Sequence, residues 1–121
     1  MKQSVIPQLR STNAKRSLAF YVDCLGFEVD WEHQFEPGYP LFFQLTRSGQ
    51  TIFLTEHSGD CEVGGAVFFW VDDADACCAE FIKNGVRPTG PLTTTSYGTR
   101  EFHVTDPDGN RLRFATDLEG D

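Results

Sequence analysis

The chain has 121 residues, enough for one domain, or two half-domains sharing a core, that folds without disulfides or a metal. Hydrophobic residues make up 40% and include 11 phenylalanines, a composition that excludes a disordered chain. The formal net charge of −8 argues against nucleic acid binding, because phosphates are bound through Lys and Arg. No apolar run could cross a bilayer and no secretory signal opens the sequence, so we expect a cytoplasmic protein without membrane contact.

The acidic net charge has two possible interpretations, and the cysteines do not indicate a function. A negative charge serves solubility alone, or it attracts a cationic ligand, and both interpretations stay open. The four cysteines show neither a CxxC pair nor a Cys/His zinc spacing, so neither a disulfide framework nor a zinc site is predicted: Cys24, Cys61, Cys77 and Cys78.

The first half of the chain predicts a strand, a helix and three further strands. Val5–Arg10 is strand-like, and Asn13 (or Thr12) can cap a helix over Ala14–Leu25 that ends at Gly26. Three strand-like runs follow, separated by the turn signals Pro-Gly and Ser-Gly: Phe27–His33, Leu41–Thr46 and Thr51–Thr55.

The second half repeats this order. Ala66–Val71 predicts a strand, and Asp73 can cap a second helix that ends at Gly85. The turn Asp106–Gly109 separates the last two of three strand-like runs, which are Val86-Arg87, Thr99–Thr105 and Asn110–Ala115. The repetition predicts two βαβββ modules, at about residues 4–57 and 64–116, joined by the linker Ser58–Gly65.

Two such four-stranded sheets can enclose a shared cleft, and strand alternation then assigns each side chain to a face. The helix-facing side chains are predicted to be Val67, Phe69, Val71, Leu112 and Phe114. The cleft-facing side chains are predicted to be Ala66, Phe68, Trp70, Arg111 and Arg113.

Four segments together resemble the vicinal-oxygen-chelate superfamily, which includes glyoxalase I, extradiol dioxygenases and the bleomycin-resistance proteins: Arg16–Tyr21, Cys24–Phe27, Tyr97–Phe102 and Asp106–Phe114. The resemblance spans nearly the whole chain. It implies an α+β fold in which residues 1–121 form a single domain of two βαβββ modules around a shared cleft.

Enzymes of that superfamily hold a divalent metal with one His, Gln or Glu from each of four strands. The resemblance places those positions at Ile6, Phe53, Ala66 and Arg113, three hydrocarbon side chains and one fixed positive charge. A shift on the first strand would offer Gln8 but would not repair the other three. We therefore expect neither a metal nor another cofactor.

An aromatic cleft is the site that remains. The predicted ligand-binding residues are Phe53, Phe68, Trp70, Tyr97 and Arg113, and Phe42 or Phe43 is a further candidate, although each aromatic could equally be an ordinary core residue. The resemblance implies sequestration, without catalysis, of a flat, cationic antibiotic of the bleomycin type. It also implies a homodimer that exchanges N-terminal arms, with Pro7 near the arm's end.

A catalytic alternative stays open. Glu56-His57 with Asp60 could form a metal or acid–base cluster, or simply a polar loop, because the spacing does not place two ligands on one face. A glyoxalase-like lyase or a dioxygenase-type enzyme could use relocated ligands, and a metal-free enzyme could use His33, His57 or His103. No catalytic residue is assigned.

Overall fold

The computed structural model of the chain describes residues 3–119, and it contains the expected βαβββ unit twice. The first module consists of β1 Gln8–Arg10, α1 Ala14–Leu18, β2 Glu28–Gln34, β3 Leu41–Arg47 and β4 Gln50–Thr55. The second consists of β5 Ala66–Trp70, α2 Ala74–Lys83, β6 Thr93–Thr94, β7 Thr99–Thr105 and β8 Arg111–Asp117. The α+β fold predicted from the sequence is confirmed.

The two sheets have the same topology. Strand order is β1-β4-β3-β2 in the first sheet and β5-β8-β7-β6 in the second. In each sheet the first strand runs parallel to the last, and the remaining neighbours are antiparallel. β4 ends at Thr55 and β5 begins at Ala66, on either side of the predicted linker.

Both predicted helix N-caps are present. The Asn13 side chain accepts a hydrogen bond from the Arg16 amide at 3.0 Å, and Asp73 accepts one from the Ala76 amide at 3.0 Å. The first helix is α-helical only over Ala14–Leu18 and continues as a wider, π-type helix over 19–24. Within residues 3–119, no helix is both long and apolar enough to cross a membrane.

The strand predicted at Val86-Arg87 is wrong. The Val86 amide donates to the carbonyl of Phe81 at 2.9 Å and so helps to end α2. Pro88 has no amide hydrogen for a sheet. After Pro88 the Thr89 amide donates a single bond to the His103 carbonyl of β7 at 2.7 Å, and the strand that pairs with β7 is the short β6 at Thr93–Thr94.

The buried faces of both sheets and both helices form one core. The Phe114 ring stacks on Phe69 and Phe102, with centroid distances of 4.8 and 5.4 Å, and meets Phe81 of α2 edge-on at 5.1 Å. Phe27 of the first module contacts Phe69 of the second at 5.9 Å. Each module therefore stabilises the other through shared aromatic contacts.

The turn between β7 and β8 ties the modules together through Asp106. Its buried carboxylate accepts hydrogen bonds from the Tyr21 hydroxyl at 2.6 Å and from the Asn110 side chain at 2.8 Å. It also accepts from the backbone amides of Asp108 and Asn110, both at 2.9 Å. Burial, reinforced by the Asp106 charge, raises the pKa of Tyr21 well above its usual value, so this phenol stays protonated as a donor.

Candidate ligand-binding site

Each sheet turns one face to the core and leaves the other open to solvent. On β4, Ile52 and Leu54 are buried whereas Phe53 between them is half-buried, and on β8 Leu112 and Phe114 are buried on either side of Arg113. The first open face comprises Asp30, Trp31, His33, Phe42, Gln44 and Phe53. The second open face comprises Ala66, Phe68, Trp70, Glu101, His103, Arg111 and Arg113.

Three aromatic rings form a continuous surface on the first open face. Trp31 stacks on Phe42 with the ring planes 9° apart and the centroids separated by 5.9 Å. Phe53 contacts Phe42 at 5.0 Å and Trp31 at 5.9 Å. The predicted residue Phe53 therefore lies in an aromatic cluster. The sequence analysis did not identify Trp31, the most exposed member of this cluster, although Trp31 alternates with His33 along β2.

A carboxylate lies beside these rings because β2 is irregular. The pairing of β2 with β3 shifts register between Val29 and Trp31, which brings Asp30 onto the open face. Its carboxylate accepts hydrogen bonds from Thr46 Oγ1 at 2.5 Å and Gln44 Nε2 at 2.9 Å. These two bonds lower the pKa of Asp30, so the first open face carries a negative charge at neutral pH.

Two histidines share a cavity with part of this surface. The cavity measures about 360 Å³ and is lined by Trp31, His33, Phe42, His57 and Asp60. Asp60 accepts a hydrogen bond from Thr55 Oγ1 at 2.8 Å, which orients its carboxylate.

Glu56 does not belong to that cluster. Its carboxylate accepts from the Ala14 amide at 2.8 Å and from the Leu41 amide at 3.0 Å. It therefore holds the start of α1 against the start of β3. His103 is also remote, because it lies on the second open face.

Four of the five predicted ligand-binding residues meet on the second open face. Phe68 contacts Trp70 at 4.8 Å, and the Arg113 guanidinium lies over the Phe68 ring, 5.0 Å from its centroid. The Tyr97 hydroxyl donates to Glu101 Oε1 at 3.2 Å, and Arg113 Nε lies 3.6 Å from the same oxygen.

Glu101 is the link that sequence reasoning missed. Glu101 is only 5% exposed, and its carboxylate also accepts a hydrogen bond from Thr99 Oγ1 at 2.7 Å. Alternation from the core-facing Phe102 would have placed it on the open face, but a single acidic residue in a Thr-rich strand gave no further signal. It joins Tyr97, in the loop before β7, to Arg113 on β8.

The second open face has its own cavity of about 370 Å³, lined by Ala66, Val67, Phe68, His103, Arg111 and Arg113. None of these residues lines the cavity of the first open face. Phe53 is thus the one predicted residue that the structure separates from the other four. In the single chain, the two aromatic surfaces are walls of different cavities.

A third cavity, of about 750 Å³, lies where the β3–β4 turn meets the start of α2, and Trp70 borders it. Several of its charged side chains have structural partners: Asp73 caps α2, and Arg47 Nε donates to the Leu25 carbonyl at 2.8 Å. Arg47 also pairs with Glu80 at 3.4 Å. We attribute this cavity to the packing of the modules.

The four positions that the resemblance assigns to metal ligands do not fit a metal. Ile6, Phe53 and Ala66 have no donor atom, and Phe53 packs against Phe42. Arg113 is cationic and faces Glu101. Among residues 3–119, no three His, Cys, Asp or Glu side chains are grouped so as to hold a metal ion.

The profile described as "Glyoxalase superfamily protein" matches residues 1–121. The chain belongs to the glyoxalase superfamily. A search of curated protein sequences finds no match.

Solved structures share the fold of this glyoxalase-superfamily chain at low sequence identity. A bleomycin resistance determinant encoded on the transposon Tn5 is 20% identical with a TM-score of 0.77, over 96% of this chain and 98% of the other. A bleomycin-binding protein complexed with bleomycin is 20% identical with a TM-score of 0.74, over 95% and 98%. TnmS3, an antibiotic binding protein from Streptomyces sp. CB03234, is 21% identical with a TM-score of 0.73, over 97% and 98%.

Proposed function

We propose that this protein binds and sequesters, without chemical change, a flat, cationic aromatic antibiotic of the bleomycin type. The observation that carries the proposal is the exposure of aromatic rings on both open faces: Trp31 is 44%, Phe68 43%, Trp70 52% and Tyr97 64% exposed. Water contact with this apolar surface is unfavourable, and a flat ligand would remove it by stacking. The fold neighbours named for bleomycin support the ligand class.

The binding cleft would lie between two protomers. Each open face is a single wall, so a second copy of the chain that set its second open face against the first would supply both walls. In the single chain, the N-terminal arm pairs with its own β4, where the Phe53 amide donates to the Pro7 carbonyl at 2.9 Å. Exchanged arms would make the same bonds to the partner's β4, at little cost in free energy.

Two carboxylates would meet cationic groups of the ligand. Asp30 lies beside the aromatic cluster of the first open face, and Asp60 lines the cavity there. The net charge of −8 adds a long-range attraction for cations. Screening of these charges would weaken binding as salt concentration rises.

The test is titration with metal-free bleomycin, followed by tryptophan fluorescence because each open face carries one tryptophan. Tyr97→Ala removes a stacking ring, worth about 0.5–1.5 kcal/mol beyond its buried area, so affinity is expected to fall roughly tenfold. Ile82→Ala, which truncates an exposed side chain on α2, is the control and should bind normally.

Absence of binding by the wild type at micromolar bleomycin would overturn the proposed ligand. Normal binding by Tyr97→Ala would show only that Tyr97 is not the stacking residue. Light scattering tests the dimer separately, with an expected mass of twice the 13.6 kDa of the chain. A monomer in the presence of bound ligand would contradict the two-protomer cleft.

The catalytic alternative rests on His33 and His57, which share one cavity with Asp60. It predicts that bleomycin or another bound ligand is chemically altered on incubation, or that the purified protein carries one divalent ion per chain. Mass spectrometry of the recovered ligand and elemental analysis distinguish it from sequestration, which predicts unchanged ligand and no stoichiometric metal. The cytoplasmic location stays a prediction.

A further inference from the structure

The second open face is basic although the protein is acidic. Arg111 and Arg113 alternate along β8, and His103 on β7 is the register partner of Arg113. The neighbouring strand β5 places Ala66 beside Arg111 and Phe68 beside Arg113. Two guanidinium groups and an imidazole therefore surround a small apolar floor.

Glu101, also on this face, balances part of the charge of Arg113, whereas no carboxylate of the described residues pairs with Arg111. Arg111 is exposed, and within residues 3–119 its side chain has no hydrogen-bond or ion-pair partner. Arg113 approaches Glu101 through Nε, at 3.6 Å, and its guanidinium carbon lies over the Phe68 ring, 5.0 Å from the centroid. The terminal nitrogens of Arg113 make no hydrogen bond to the described part of the chain and stay available as donors.

Neighbouring arginines on one strand repel each other unless an anion lies between them. A guanidinium offers parallel N–H donors that match the two oxygens of a carboxylate or a phosphate. The cavity of about 370 Å³ beside them, with Phe68 in its wall, has room for such a group attached to an aromatic ring. The first open face offers the opposite charge, through Asp30 and Asp60.

We propose that the second open face is an oxyanion subsite, in which Arg111 and Arg113 bind a carboxylate or phosphate group while Phe68 contacts the ring that carries it. An antibiotic of the class proposed above that carries an oxyanion besides its cationic groups would place a positive group at the first open face and the oxyanion here. Only this statement depends on the proposed function.

The test uses four probes with one ring system and different charges: 1-naphthoate, 1-naphthyl phosphate, neutral 1-naphthalenemethanol and cationic 1-naphthylmethylammonium. Dissociation constants are measured by calorimetry on the full chain at low and at physiological salt. Both anions are expected to bind about tenfold or more tightly than the neutral probe, a ratio equivalent to about 1.4 kcal/mol. Comparison of the two anions shows which oxyanion the subsite prefers.

Substitutions test whether the arginines cause the tighter binding of the anionic probes. Arg111→Gln and Arg113→Gln are each expected to weaken both anions about tenfold while changing the neutral probe less than about twofold, the loss expected for a charge-assisted hydrogen bond. Lys83→Gln, on exposed α2 away from the sheet face, makes the same change in net charge and should leave all four constants unchanged. Arg113→Lys, which keeps the positive charge but removes the parallel N–H donors of the guanidinium, should bind the anions more weakly than the wild type.

The outcomes separate this inference from the proposed function. If the neutral probe binds and the anions bind no better, the oxyanion subsite is wrong and aromatic binding stands. If the anions bind through the arginines but bleomycin does not bind, the subsite stands and the antibiotic is the wrong ligand. Equal losses in Lys83→Gln and the arginine variants would reduce the effect to net charge and overturn the subsite, as would failure of both anions to bind.

Discussion

The two modules have the same topology but differ in the chemistry of their open faces. Their buried faces are alike, with Phe43, Leu45, Ile52 and Leu54 in the first sheet and Phe102, Val104, Leu112 and Phe114 in the second. The first open face combines a ring cluster with Asp30, whereas the second combines rings with Arg111 and Arg113. Close packing constrains the buried side chains, while solvent leaves the open ones free to diverge. In the proposed function, the groups that recognise the ligand therefore lie where the duplicated halves differ.

The largest expected effect is a loss of stability when a side chain on a buried sheet face is truncated. Phe114→Ala removes a fully buried ring that contacts Phe69, Phe81 and Phe102, so it should lower the free energy of unfolding by about 3–5 kcal/mol. Phe68→Ala, on the open face of the same sheet, should cost less than about 1 kcal/mol but impair ligand binding. Urea unfolding measures both variants, and equal losses of stability would show that the two faces do not differ as described.

A smaller effect tests the hydrogen bond that joins the modules. Tyr21→Phe removes the bond to Asp106, so the free energy of unfolding should fall by about 1–2 kcal/mol. Since the pKa of Tyr21 is raised in the folded state, its hydroxyl ionises near pH 10 only in the unfolded chain. The unfolded state then binds fewer protons, and wild-type stability should fall as pH rises above about 10.

Tyr21→Phe should lose this part of the alkaline decline, whereas Tyr39→Phe, which alters an exposed phenol, should keep it. Parallel stability profiles for all three proteins between pH 8 and 11 would contradict the role given to the buried phenol.

The smallest effect concerns the charge of the first open face. Asp30→Asn should weaken binding of 1-naphthylmethylammonium by a factor of about 1.4 to 5, because an exposed ion pair contributes about 0.2–1 kcal/mol. Asp23→Asn, at an exposed position outside the open face, provides a control with the same change in charge. Equal weakening of neutral 1-naphthalenemethanol by Asp30→Asn would mean that the substitution disturbs the ring cluster and that the two open faces do not differ in their charge preference.

The sequence by itself determined the duplicated βαβββ order, both helix caps and the faces of the strands predicted at Ala66–Val71 and Asn110–Ala115. These features depend on short-range properties: alternation along a strand, periodicity along a helix and the preference of Asn13 and Asp73 for the N-cap position. The same alternation correctly separated Phe68 and Trp70 from Phe69. The resemblance added the superfamily, which the family comparison then confirmed.

Only the tertiary structure decided how the open faces are composed. The register shift that exposes Asp30 arises from pairing between β2 and β3. Glu101 acquires its role by contacting Tyr97, in the loop before β7, and Arg113, on the neighbouring strand β8. Phe53 is separated from the other predicted residues because the two sheets share one core through their buried faces, so that their open faces line different cavities. Such relations depend on contacts between distant segments, and alternation along a single strand carries no information about them.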